Sequence, residues 1–157
     1  MYEFLEETVQ HNMTSPAKAV APEMTVGDLL RLFSTNAADA YPVECGGRLV
    51  GIVSKADALT TFALKPGGIV PHYDDLMATT VDEIMSRQVM TVDTGTRLQR
   101  VLHLMGSHRF KTLPVVDNSN RLKGMITREQ VIRALARSNR CATLPPAEPA
   151  IGHYAIA

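Results

Sequence analysis

Leu49-Val50-Gly51-Ile52-Val53-Ser54-Lys55-Ala56-Asp57 is answered later in the chain by Leu122-Lys123-Gly124-Met125-Ile126-Thr127-Arg128-Glu129-Gln130. Each run reads as an apolar strand that turns into a helix at a hydroxyl residue. The likeness spreads outward from these two runs. Arg48-Leu49 returns as Arg121-Leu122, 73 residues on, while Thr8-Val9, Met13, Val20 and Pro42-Val43 return as Thr80-Val81, Met85, Val92 and Pro114-Val115, 72 residues on. A repeat of this regularity predicts two similar half-modules. At roughly 55 residues each, they are too small to bury a good core alone, and should pack together across a pseudo-twofold axis. Clefts at such interfaces are favoured ligand sites.

Upstream of each run lies one apolar stripe at helical spacing, Val26, Leu29, Leu30, Leu32 and Phe33, then Leu98, Val101, Leu102, Leu104 and Met105. Burial of these stripes between the two halves is expected. Thr25 with Asp28 marks the first helix start, and Thr96 stands just ahead of the second. Tyr41-Pro42-Val43 and Leu113-Pro114-Val115-Val116 read as strands with the prolines at their starts, because proline cannot donate to a ladder. Gly46-Gly47 and Asn118-Ser119-Asn120 supply the hairpin turns, being tolerant of positive φ. A closing helix carries Ala58, Leu59, Phe62 and Ala63 in one copy and Val131, Ile132, Leu135 and Ala136 in the other.

With a short strand near Val20 or Val92, each copy is a β-α-β-β-α unit, and a short helix precedes it near Phe4–Met13 or Val81–Met85. The fold class is α+β. Repeat one is assigned to 8–64 and repeat two to 79–137. Residues 65–78, with their Pro-Gly-rich start, are assigned to a connector, and 138–157 to a flexible tail.

A hydrophobic share of 45% supports a real core, and 16 basic residues balance 16 acidic ones. That balance argues against a nucleic-acid surface, which needs a basic stripe to meet phosphates. No apolar run approaches the length of a membrane span. The opening Met-Tyr-Glu-Phe-Leu-Glu-Glu lacks the basic start of a signal peptide. Cys45 and Cys141 form no metal-type or redox pair, so both are expected to be inert small hydrophobes in a reduced, cytoplasmic setting. The histidines show no ligand spacing, and no catalytic nucleophile can be placed beside one, so neither a metal site nor an enzyme is expected.

Ser54-x-x-Asp57 and Thr127-x-x-Gln130 both have capping-box form, which requires no ligand. The same atoms suit a nucleotide. Glycine permits close approach, a helix start favours an anion, a hydroxyl can bond phosphate or ribose, and a carboxylate can accept from vicinal ribose hydroxyls.

The element order, the two proline segments and the Gly-x-x-Ser/Thr-x-x-Asp pattern together resemble the cystathionine-β-synthase (CBS) domain family over about residues 8–137. Paired domains of that family act as regulatory sensors of adenosine ligands. The resemblance implies a site from Ser54, Asp57 and the Ala40-Tyr41-Pro42 segment, with Val20, Leu113, Pro114 and Thr127 as further ligand-binding positions. Gln130 stands where the family has its aspartate, so the second copy keeps the cap and lacks the carboxylate. Basic residues before the proline segment reach the other repeat's phosphates in this family. That implies Lys111, with Arg109 and His108 as weaker candidates, for the cleft of Asp57, and Asp39 facing the cleft of Gln130. A plain preference of cations for a helix C-terminus would explain the same residues.

The implied ligand is AMP, ADP or ATP, with S-adenosylmethionine and NAD as alternatives. Its occupancy would be passed to an unidentified effector protein, and a homodimer is expected. The competing expectation is a ligand-free assembly module in which Ser54, Asp57, Thr127 and Gln130 serve only as helix caps.

Overall fold

The computed structural model describes residues 2–63 and 72–138. Helix α1 (Tyr2–Glu6) and a 3-10 turn (Val9–His11) lead into the first repeat. That repeat consists of α2 (Val26–Thr35), β1 (Ala40–Cys45), β2 (Arg48–Ser54) and α3 (Lys55–Thr60). Helices α4 (Tyr73–Ala78) and α5 (Val81–Ile84) lead into the second, which consists of α6 (Leu98–His108), β3 (Thr112–Val116), β4 (Leu122–Thr127) and α7 (Arg128–Ser138). Part of the stretch expected to be a connector is therefore helical, since α4 packs on α2. The remainder, 64–71, and the expected tail beyond 138 lie outside the described residues.

Both hairpins are antiparallel and carry a bulge at matching places, after Val43 and after Val115. Their turns use positive φ, at Gly46 (59°), Gly47 (80°) and Asn120 (59°). The strand expected near each repeat's start is a single parallel bridge, Val20 to Val43 and Val92 to Val115. That bridge explains how proline is tolerated at the third position of β1 and β3 instead of at the strand start. The carbonyl of Pro42 accepts from the Val20 N–H, and the Glu44 N–H donates to the Val20 carbonyl. The missing donor of Pro42 faces a neighbour one residue long, which asks for none. Pro114 repeats this arrangement with Val92.

Among the described residues two separate cores form, each centred on one repeat, so the helix stripes are not buried between the halves. Val20, Leu29, Phe33, Tyr41, Val43, Val53 and Ala58 make the first. Val92, Leu98, Val101, Leu113, Val115, Ile126 and Val131 make the second. Each core is completed by the other repeat's leading segment. Val81 and Met85 enter the first core, while Phe4 and Val9 enter the second. Val9 and Val81 are fully buried, which contributes roughly 1.5–3 kcal/mol each.

The exchanged segments are held by backbone pairing: Thr14 bridges Met125 on β4, and Ser86 bridges Ile52 on β2. Gly51 and Gly124 sit beneath them. A Cβ on Gly124 would meet the Thr14 carbonyl oxygen at 2.5 Å, and one on Gly51 would meet the Met85 sulphur at 2.5 Å. These glycines admit the crossing segment. Their close approach is to backbone and methionine of the same chain.

The hairpin tips also join across the pseudo-twofold axis. Arg48 bridges its own counterpart Arg121, and Asn120 Nδ2 donates to the Leu49 carbonyl at 2.9 Å. Cys45 is exposed at a tip, against the expectation of a small hydrophobe, and Cys141 lies outside the described residues.

Candidate functional site

Each hairpin delivers its second strand straight into a helix, and the junction is a formed capping box. Ser54 Oγ donates to Asp57 Oδ2 at 2.6 Å, the Ser54 N–H donates to the same oxygen at 2.7 Å, and the Asp57 N–H returns to Ser54 Oγ at 3.2 Å. Asp57 Oδ1 makes no hydrogen bond among the described residues. In the second junction the Thr127 N–H donates to Gln130 Oε1 at 2.8 Å, and the Gln130 N–H lies 3.4 Å from Thr127 Oγ1. The Gln130 amide also donates to Thr14 Oγ1 at 2.7 Å, tying the cap to the crossing segment. A carboxylate could not donate that bond.

A cleft opens beside each junction, and the two are pseudo-twofold counterparts. The first, of 380 Å³, lies between Ser54, Lys55 and Asp57 of one repeat and Arg109, Phe110 and Lys111 of the other, with Ser86 at its edge. The second, of 180 Å³, lies between Thr127 and Glu129 of the second repeat and Ala37 to Pro42 of the first, with Thr14 and Lys18 at its edge. Arg109 caps α6 in the left-handed conformation (φ 56°), turning the chain so that residues 109–112 reach the opposite repeat.

Of the sequence-predicted residues, Ala40, Ser54, Asp57 and Lys111 gather at the first cleft. Tyr41, Pro42 and Thr127 line the second, which Ala40 and Lys111 also touch. The Ala40-Tyr41-Pro42 segment is thus divided between the clefts, and its proline end faces the helix start of the other repeat. Val20, Leu113 and Pro114 line neither cleft. Val20 and Leu113 are core residues, and Pro114 is buried in β3. Arg109 borders the first cleft, whereas His108 stacks on Phe110 with ring centres 5.4 Å apart. Asp39 borders both clefts.

Thr14 and Ser86 escaped the sequence reading. They are hydroxyl residues 72 apart on the two crossing segments, so the repeat offset could have flagged them.

The first cleft gathers three cations, Lys55, Arg109 and Lys111, against Asp39 and Asp57. The second has Lys18 and Lys111 against Asp39 and Glu129. Tyr41 fills the first core with its hydroxyl buried and without a partner among the described residues, and burial pushes that hydroxyl's pKa above the usual 10.0. Among the described residues no cluster of side chains could hold a metal ion, and no helix is long and apolar enough to cross a membrane.

The profile of the CBS domain matches residues 7–63 and again 81–137. The chain belongs to that family, as a tandem pair. A protein of Methanocaldococcus jannaschii, MJ1225, is 27% identical over 83% of this chain and 48% of its own length, and its crystal structure superposes with a TM-score of 0.75. The crystal structure of CBSX2 in complex with AMP is 28% identical, covers 85% of this chain and 98% of its own, and has a TM-score of 0.71. The magnesium transporter MgtE of Thermus thermophilus is 34% identical over 78% of this chain. The cytosolic domain of the Mg2+ channel MgtE, solved in complex with ATP, superposes with a TM-score of 0.64 at 30% identity, over 82% of this chain and 48% of its own. The chain spans about half of MJ1225 and a quarter of MgtE (26%).

Proposed function

We propose that this tandem CBS pair is a non-catalytic regulatory module that binds an adenosine nucleotide in the cleft of Ser54 and Asp57. The carrying observation is convergence. A hydroxyl and carboxylate from one repeat face Arg109 and Lys111 from the other across 380 Å³, a volume within the usual range of small-molecule sites. Asp57 Oδ1 would accept from the ribose hydroxyls while Oδ2 keeps the helix cap, and the cations would meet the phosphates. The relatives solved with AMP and ATP support an adenosine ligand.

A ligand bridging two repeats regulates by binding one of their arrangements more tightly than another, and the partner protein reads that change. A cytoplasmic setting belongs to the same proposal. The test is thermal unfolding of the full chain with AMP, ADP, ATP, S-adenosylmethionine and NAD. A ligand at a hundred times its Kd should add about 2.7 kcal/mol of stability. No shift with any of the five would favour the assembly-module reading, which draws its support from the completeness of the Ser54–Asp57 capping box.

The same proposal includes a homodimer. Leu102, Ile132 and Leu135 are exposed along an apolar groove of 280 Å³ between α6 and α7, and Leu59 on α3 is 66% exposed. Apolar surface of this kind on both repeats suits a second copy of the chain. Light scattering should give twice the 17.2 kDa chain mass, and a monomer at high micromolar concentration would refute the dimer.

A further inference from the structure

The two clefts share one ion pair. Asp39 and Lys111 are counterparts 72 residues apart, so their contact, Lys111 Nζ to Asp39 Oδ1 at 3.5 Å, crosses the pseudo-twofold axis. Both residues border both clefts. With side chains 61% and 40% exposed, each has room to turn toward either side. A single ammonium group cannot neutralise a phosphate in each cleft.

Around this pair the charges are unequal. On the side of Ser54, Arg109 and Lys55 join Lys111. On the other side Lys18 lines the cleft with its Nζ donating to Asn36 Oδ1 at 3.2 Å. There the counterpart of Arg109 is Ala37, and Glu129 stands where the first repeat has Ala56, so Lys18 and Lys111 meet Asp39 and Glu129 evenly. The counterpart of Lys55 is Arg128, whose Nε is committed to the Phe110 carbonyl at 2.8 Å and which lines the outer groove instead. The second cleft is also the smaller, 180 against 380 Å³. At its helix start Gln130 is already engaged, accepting from the Thr127 N–H and donating to Thr14 Oγ1, and it brings no charge to the cleft.

We propose that the Asp39–Lys111 pair sorts ligands by charge. A phosphate-bearing nucleotide takes the Ser54 cleft, and an adenosine ligand without phosphate takes the Thr127 cleft. This rests on the nucleotide reading above and extends it. A phosphate in the first cleft draws Lys111 away from Asp39. The freed carboxylate, with Glu129 beside the same cleft, then repels any second phosphate. An uncharged nucleoside meets no such repulsion, so the two ligand classes bind side by side while two nucleotides exclude one another.

The experiment is calorimetric titration of the full chain with ADP and with adenosine. One equivalent of ADP should bind, and adenosine added at saturating ADP should bind one equivalent more. Asp39→Asn should strengthen binding of a second ADP by about tenfold, and Glu129→Gln should shift it the same way by less. Two equal and independent ADP sites in the parent would overturn the sorting while leaving the nucleotide reading intact. So would saturating ADP that blocks adenosine outright, or an Asp39→Asn variant that still binds one ADP. If neither probe binds, the nucleotide reading falls and the sorting falls with it.

Discussion

The junction of β2 with α3 and the junction of β4 with α7 have almost the same backbone hydrogen bonds and opposite surroundings. Ser54–Asp57 closes its cap with a carboxylate and looks onto Arg109 and Lys111. Thr127–Gln130 closes its cap with an amide, spends that amide on Thr14, and looks onto Ala37, Ala38 and Asp39. Cap geometry belongs to the fold and is met twice. Charge belongs to the cleft and differs between the two.

The largest expected effect breaks the likeness at the glycines. In Gly124→Ala the new methyl meets the Thr14 carbonyl oxygen at 2.5 Å, which cannot turn aside. In Gly51→Ala the 2.5 Å contact is a methionine sulphur that can, and the backbone contact, the Ser86 carbonyl oxygen, stands off at 3.0 Å. Overpacking costs about 1–3 kcal/mol. Gly124→Ala should lie at or above the top of that range and Gly51→Ala near the bottom, as read by denaturant unfolding. Equal losses would mean that both crossing segments yield alike.

Next comes the cap pair. Asp57→Ala should weaken nucleotide binding roughly ten- to a hundredfold, since a hydrogen bond to a charged group is worth about 1.5–3 kcal/mol. Gln130→Ala should cost about 1 kcal/mol of stability, typical of a lost cap, and leave ADP affinity unchanged. Asp57→Asn separates the two roles at the first junction by keeping a capping oxygen while removing the charge. Calorimetry on the three variants reads the contrast, and ADP binding to Asp57→Ala at parental strength would reduce Ser54 and Asp57 to a cap.

The smallest effect compares the matched core positions Tyr41 and Leu113. Tyr41→Phe removes a buried hydroxyl with no partner among the described residues and should stabilise the chain by up to about 1 kcal/mol. The pH dependence has a definite sign. The folded chain holds this phenol neutral above the pH at which the unfolded chain ionises it, near 10.0. The unfolded state therefore releases a proton that the folded state keeps, and stability falls as pH rises through that value. Unfolding curves at pH 8 and pH 10.5 should show a smaller drop for Tyr41→Phe than for the parent.

Much of the fold was legible in the residues. The 72- and 73-residue offsets, the apolar stripes and the positive-φ turn residues are local patterns, and the α+β pair follows from them. The exchange of leading segments was not legible, because Val9 and Val81 look equally apolar whichever core receives them. Nor was the division of Ala40, Tyr41 and Pro42 between two clefts, since a repeat's pattern is the same whether a segment serves its own half or the other. The third-strand bridge at Val20 was overread because apolar residues around a single paired position look like a strand. The cap residues were legible as chemistry, while their neighbours Thr14 and Ser86 came into view only with the crossing segments in place.

That exchange of segments also sets an order of events on the ribosome. The first core lacks Val81 and Met85 until the second repeat has begun to emerge, so the first repeat cannot finish folding as an independent unit. Phe4 and Val9 wait longer still, for Val131 and Ala134 near the far end of the described chain. Residues made ahead of both hairpins are among the last to find their places.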